Sequence, residues 1–197
     1  MSSVVILHYT RVSPQPELAD HANLFKGLAP DYFKGAPSLP RVVALWLLGQ
    51  AFARVGASMD WSQLHRLSTG QPYYPGPWRF SISHTDEWVV VALSAAPIGV
   101  DIEKMGRVQE RHLRFLDVQN QGSPLDPTHI WVTLEATAKA TGQGVFKSRG
   151  LVLNDSRVQI SEHHFSVRRF EHEGHVIAVA SSLDDFTVDG VEISQSI

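Results

Sequence analysis

Two apolar runs of the same design, Glu87-Trp-Val-Val-Val-Ala-Leu-Ser94 and Gly174-His-Val-Ile-Ala-Val-Ala-Ser181, constrain this chain more than any other feature. Both are rich in β-branched residues, so each reads as a buried strand. Each closes a half of the chain that also contains one long helix candidate. The first helix is the apolar run from Arg41 to Phe52, with Pro40 at its start and Gly56 beyond its end. The second spans Thr128 to Thr141, follows Pro124 and Pro127, and is closed by Gly142. The pattern predicts an α+β protein of two similar, pseudo-symmetric halves, residues 1–97 and 98–197, each a helix packed on a small antiparallel sheet. Any two buried strands look alike, so a single repeat also permits unrelated halves.

The remaining segments fit around this frame. Val4 to Leu7 reads as a first strand, and residues 12–40 carry Pro14, Pro16, Pro30, Pro37 and Pro40, which leaves room for a short helix around Glu17 to Phe25. Trp61 to Leu67 reads as a short helix, followed by a loop rich in proline and glycine over Ser68 to Pro77. Arg79 to Ser83 and Glu87 to Ser94 form a hairpin whose turn contains His84, Thr85 and Asp86, and the last third reads as a strand meander.

Composition excludes several classes of function. With 197 residues, 43% hydrophobic and 19% charged, the chain can bury its own core, and a net charge of −3 argues against a generally basic nucleic-acid binder. Cysteine is absent, which removes disulfides and thiolate chemistry and fits a reducing compartment. The opening MSSVVILHYTR has too short an apolar run for a secretory signal or a membrane span, so the expectation is a cytoplasmic protein with no membrane or nucleic-acid partner.

The chemistry concentrates in Ile98-Gly-Val-Asp-Ile-Glu-Lys104. On a strand, Asp101 and Glu103 project from one face while Val100 and Ile102 occupy the other. Two carboxylates this close raise each other's pKa unless a cation lies between them, and oxygen donors suit a hard ion such as Mg2+ or Mn2+. The same pattern also reads as a solvated strand face. In the second helix, Trp131, Glu135 and Lys139 recur every four residues and share one face. Glu135 and Lys139 read either as a plain helical ion pair or as a third carboxylate and a cation for phosphate oxygens.

The run FSISHTDEWVVVALSAAPIGVDIEK, followed by IWVTLEATAKATGQG, resembles the 4'-phosphopantetheinyl transferases, in their larger, two-halved, monomeric type. The match spans roughly residues 68 to 145: a hairpin with an ISH motif, a GIDIE-like strand and a WxxKExxxK-like helix. The resemblance implies that Asp101, Glu103 and Glu135 bind Mg2+ (or Mn2+) against the pyrophosphate of coenzyme A, and that Lys139 contacts those phosphates. It implies that Ser83 and His84 lie at the coenzyme, with His84 near its 3'-phosphate. Gln71 falls in the coenzyme loop, and Arg41, with Lys34 before it, falls at a basic position. His84 alone also reads as a local turn residue, and Arg41 and Lys34 as surface cations. The implied reaction is attack by a serine of an apo acyl or peptidyl carrier protein on the β-phosphate, releasing adenosine 3',5'-bisphosphate, with Glu135 or water taking the proton. Carrier proteins are usually acidic, so Lys104, Arg107, Arg111 and Arg114 read either as a docking patch or as a solvated face.

The match departs from the pattern at three places. Leu134 stands where the family has a lysine, Gly70-Gln71-Pro72 replaces a GKP loop, and Phe115 is followed four residues on by Gln119 instead of glutamate. If a missing cation limits the reaction, Leu134→Lys raises it. Losing two cations also opens an alternative: a degenerate, transferase-like protein that binds coenzyme A or a carrier protein without turnover.

Overall fold

The computed structural model describes residues 3–12, 24–29, 32, 38–116, 118–142, 151–160 and 162–192. In chain order the strands are β1 (Ser3–Arg11), β2 (His65–Arg66), β3 (Pro72–Tyr73), β4 (Arg79–His84), β5 (Trp88–Ser94) and β6 (Ile98–Lys104), then β7 (Val118–Asn120), β8 (Leu151–Asn154), β9 (Arg157–Ile160), β10 (His163–His172), β11 (His175–Ser181) and β12 (Phe186–Glu192). Two long helices, Leu39–Arg54 and Pro127–Thr141, accompany them, with a short one at Glu110–Leu113.

The protein is α+β. One sheet has the order β12-β1-β5-β4 and the other β6-β11-β10-β9-β8-β7, with β2 and β3 forming a separate pair. Most pairings are antiparallel, but β1 with β12 and β7 with β8 are parallel. The last strand thus crosses back to flank the first.

Strand alternation explains the layering. Val89, Val91 and Leu93 of β5 pack under the first long helix, while Trp88, Val90 and Ala92 turn the other way. In β11, Val176, Ala178 and Ala180 face the second long helix, while Ile177 and Val179 face away from it. The outward-turned residues of both strands meet with Val100, Ile102, Val5 and Leu7 in a shared core between the sheets. The order is therefore helix, sheet, sheet, helix. Strands buried on both faces carry no polar alternation, which is why the two apolar runs look alike.

The second helix starts at Asp126, whose carboxylate accepts the Thr128 N–H at 2.8 Å, and ends at Gly142 in the left-handed region, φ 72°. The expected helix over Trp61 to Leu67 is instead one 3-10 turn, Trp61–Gln63, followed by β2. The Asp60 carboxylate caps that turn through Ser62 and Gln63, and pairing of His65 and Arg66 with β3 draws the chain out of helix. Of the expected helix at Glu17 to Phe25, residues 17–23 lie outside the described residues, and 24–28 are helical. Among the described residues, no helix is long and apolar enough to cross a membrane.

Candidate active site at the seam of the two sheets

The position of the two β6 carboxylates follows from register. Gly99, Asp101 and Glu103 pair with Ala180, Ala178 and Val176 of β11, the residues that face the second helix. Cross-strand partners share a face, so both carboxylates are directed toward that helix. Asp101 is only 5% exposed, and Glu103 is half-buried.

Gly99 lets the helix come close enough to reach them. A Cβ built there would lie 1.8 Å from the Ala136 carbonyl oxygen and 2.7 Å from the Ala140 nitrogen. Only a residue without a side chain permits that approach. It brings Glu135 and Lys139 over β6, one turn apart on the helix.

The other wall is β4. β4 and β6 are edge strands of different sheets, and they meet through serine hydroxyls instead of a backbone ladder. Ser81 Oγ accepts the Val100 N–H at 3.0 Å, and Ser83 Oγ donates to Asp101 Oδ1 at 2.7 Å. Lys139 closes the cluster: its ammonium donates to Asp101 Oδ1 at 2.7 Å, Ser83 Oγ at 3.0 Å and the Val100 carbonyl at 3.1 Å. Gln71 ties the preceding loop to this helix by donating its amide to the Lys139 carbonyl at 3.0 Å.

Beside these residues opens a cleft of about 490 Å³ between the loop at Thr69, Gln71 and Pro72, strand β4, and the helix at Glu135, Ala138 and Lys139. Its size suits a small-molecule ligand. A second hollow of about 380 Å³, on the far side of Glu103, is walled by Arg107, Arg111, Phe115 and Trp131.

The electrostatics mark the carboxylates as under-compensated. Burial pushes Glu135 above the ordinary glutamate range, and the charge of Asp101 pushes it further. Burial, then Asp101, does the same to Glu103, against the pull of Arg107. Among the described residues no three histidine, aspartate or glutamate side chains already converge as a cation cage. Yet Asp101 Oδ2 and Glu103 Oε2 are buried and accept no hydrogen bond, with Arg107 Nη1 3.5 Å from the latter. Buried, mutually repelling carboxylate oxygens without a hydrogen bond fit a hard divalent cation.

The structure thus brings Ser83, Asp101 and Lys139 into direct contact, sets Glu103 and Glu135 beside them, and links Gln71 through the main chain. His84 is exposed at the end of β4. Arg41 lies in the first turn of the first long helix, half-buried, where its charge and that of Arg66 act on Tyr32. Arg66 in turn donates to the Gly70 carbonyl at 2.8 Å and so fixes the loop that carries Gln71. Lys34 lies outside the described residues.

One expectation is corrected. Leu134 is 1% exposed and packs in the core under the second helix, so a lysine there would bury a charge instead of presenting it to a ligand. Two contributors were not singled out from sequence: Gly99 and Ser81. A glycine two residues before Asp101, in an otherwise apolar strand, was the available signal for close backbone approach; nothing comparable marked Ser81.

No family model matches the chain. Curated relatives do. The chain is 32% identical over 87 residues to the 4'-phosphopantetheinyl transferase gsp of Aneurinibacillus migulanus, covering 39% of this chain and 37% of that protein. It is 30% identical over 117 residues to the 4'-phosphopantetheinyl transferase psf-1 of Bacillus pumilus, covering 54% and 49%. It is 30% identical over 146 residues to a 4'-phosphopantetheinyl transferase of Bacillus subtilis, covering 63% and 64%. The chain thus spans less than two thirds of the length of each of these relatives.

Proposed function

We propose, from the premise that these similarities support the 4'-phosphopantetheinyl transferase superfamily, that this chain transfers 4'-phosphopantetheine from coenzyme A to a serine of an apo acyl or peptidyl carrier protein. The observation that carries the reading is the contact of Asp101, Ser83 and Lys139 at the sheet seam, with Glu103 and Glu135 beside it and a cleft of ligand size opening from it.

The residues divide the work. Asp101, Glu103 and Glu135 would hold Mg2+ or Mn2+, which when bound supplies positive charge against the pyrophosphate. Gln71, Ser83 and Lys139 line or border the cleft and orient the coenzyme, with Arg41 and His84 as further candidates for its phosphates. The carrier serine oxygen bonds to the β-phosphorus, and the bond from that phosphorus to the bridging oxygen breaks, releasing adenosine 3',5'-bisphosphate. Lys139 stabilises the charge on the leaving side. Glu135, on the cleft wall, or a water beside it accepts the serine proton. The hollow beside Glu103, flanked by Arg107 and Arg111, receives the carrier, whose acidic surface those cations attract. One chain carries the whole constellation, in keeping with action as a monomer, and the chemistry suits the cytoplasm.

The test is release of adenosine 3',5'-bisphosphate from coenzyme A, Mg2+ and an apo carrier protein, with Asp101→Ala as control. Release that the substitution abolishes supports transfer. Coenzyme A binding without release would instead support the non-catalytic reading, for which the one observation is the neutral Gln71 on the cleft wall.

A further inference from the structure

We propose that Lys139 is a place-holder cation: its ammonium occupies Asp101 until a divalent cation takes that carboxylate, and only then is Lys139 free to engage phosphate. This rests on the reading of Asp101, Glu103 and Glu135 as cation ligands.

The argument starts from donor arithmetic. An ammonium has three N–H donors, and Lys139 directs all of them inward, to Asp101 Oδ1 at 2.7 Å, Ser83 Oγ at 3.0 Å and the Val100 carbonyl at 3.1 Å. In this arrangement no donor remains for a ligand in the cleft. Lys139 can bind phosphate only by leaving at least one of these partners. The chain permits that movement, because the four-carbon stem is flexible and the side chain is 29% exposed along the cleft wall.

Charge matching says what releases it. Glu103 and Glu135 flank Asp101 without closing on it as a finished cage. With Lys139 on Asp101 and Arg107 3.5 Å from Glu103, Asp101 Oδ2 and Glu103 Oε2 are still buried without a hydrogen bond. A divalent cation compensates more of that charge and repels the ammonium beside it. A phosphate group in the cleft then offers the displaced lysine a new partner. Cation and phosphate therefore strengthen each other's binding through Lys139, and the coupling is reciprocal. A fixed Lys139 would give no such coupling.

The experiment uses the full chain without coenzyme. Mn2+ binding is measured by electron paramagnetic resonance for wild type, Lys139→Met and Lys139→Gln, with Arg54→Met as comparison, each alone and with inorganic pyrophosphate. Losing the charge-assisted bond to Asp101 should tighten Mn2+ binding about tenfold or more in both Lys139 variants. Arg54 is 57% exposed and pairs with Asp189 at 3.1 Å, away from these carboxylates, so its removal should change binding less than about threefold. Pyrophosphate should tighten Mn2+ binding more in wild type than in the Lys139 variants.

A second measurement needs no variant protein beyond one used for assignment. In 15N-lysine-labelled wild type, the Lys139 ammonium signal, assigned by its absence in Lys139→Arg, should shift or vanish on titration with Mg2+. An ammonium signal unmoved at saturating Mg2+, or pyrophosphate coupling equal in wild type and variants, overturns the place-holder role while leaving the cation site standing. Failure of every protein to bind Mn2+ overturns both.

Discussion

Replacing Gly99 with alanine tests whether close approach of the second helix assembles the site. The added methyl would meet the Ala136 carbonyl oxygen at 1.8 Å and the Ala140 nitrogen at 2.7 Å, both helix backbone atoms that cannot rotate away. Relieving the first contact to 3.0 Å, below which real Cβ contacts essentially never fall, moves strand and helix apart by about 1.2 Å. The overpacked core should lose about 3 kcal/mol, the upper end for one inserted methyl group. Glu135 and Lys139 ride on the retreating helix, and a misplacement of about 1 Å costs on the order of 100-fold in rate. Urea unfolding would read the first effect, and carrier-modification kinetics at a temperature where the variant stays folded would read the second. Gly27→Ala, where an added Cβ meets nothing within 4 Å, is the control expected to leave both unchanged. Wild-type stability and rate in Gly99→Ala would refute the claim that this contact positions the site.

Three further outcomes follow from the geometry. Leu134→Lys should destabilise the fold by about 3 kcal/mol or more in thermal or urea melts, because it buries a charge in the core. Gln71→Lys, by contrast, places a cation on the cleft wall and should lower the KM for coenzyme A several-fold; an unchanged KM would remove Gln71 from the coenzyme site. The raised pKa values of Glu103 and Glu135 mean that the native state binds more protons than the unfolded chain, so stability falls as pH rises through those folded values. Metal-free wild type should therefore gain melting temperature as pH is lowered from 8 toward about 5, relative to the Glu103→Gln, Glu135→Gln double variant, and Mg2+ at pH 8 should narrow the gap.

Much of this arrangement was legible in the chain because it depends on period and punctuation. The alternation in Ile98–Lys104 placed both carboxylates on one face, and the four-residue spacing of Trp131, Glu135 and Lys139 placed them on one helix side. Pro40, Pro127 and Gly142 marked the helix ends to within a residue or two. What escaped was set by partners distant in sequence. The sheet edges at β4 and β6 join through Ser81 and Ser83, whose role depends on which strands come together, and no local pattern encodes that. The segment at His65 leaves helix because β3 pairs with it. Leu134 looked like a missing ligand cation in alignment with a motif, but a rotation of about 100° from Glu135 on the helix turns it into the core. The return of β12 to β1 was likewise invisible, since a buried strand does not announce its neighbour.

The most direct measurement is the intact mass of an apo acyl carrier protein and an apo peptidyl carrier protein after incubation with this chain, coenzyme A and Mg2+, with and without a chelator. The site described here predicts a gain of one phosphopantetheine on at least one carrier, lost with the chelator and absent with Asp101→Ala. No gain on either carrier, or a gain indifferent to the chelator and to Asp101, would contradict it.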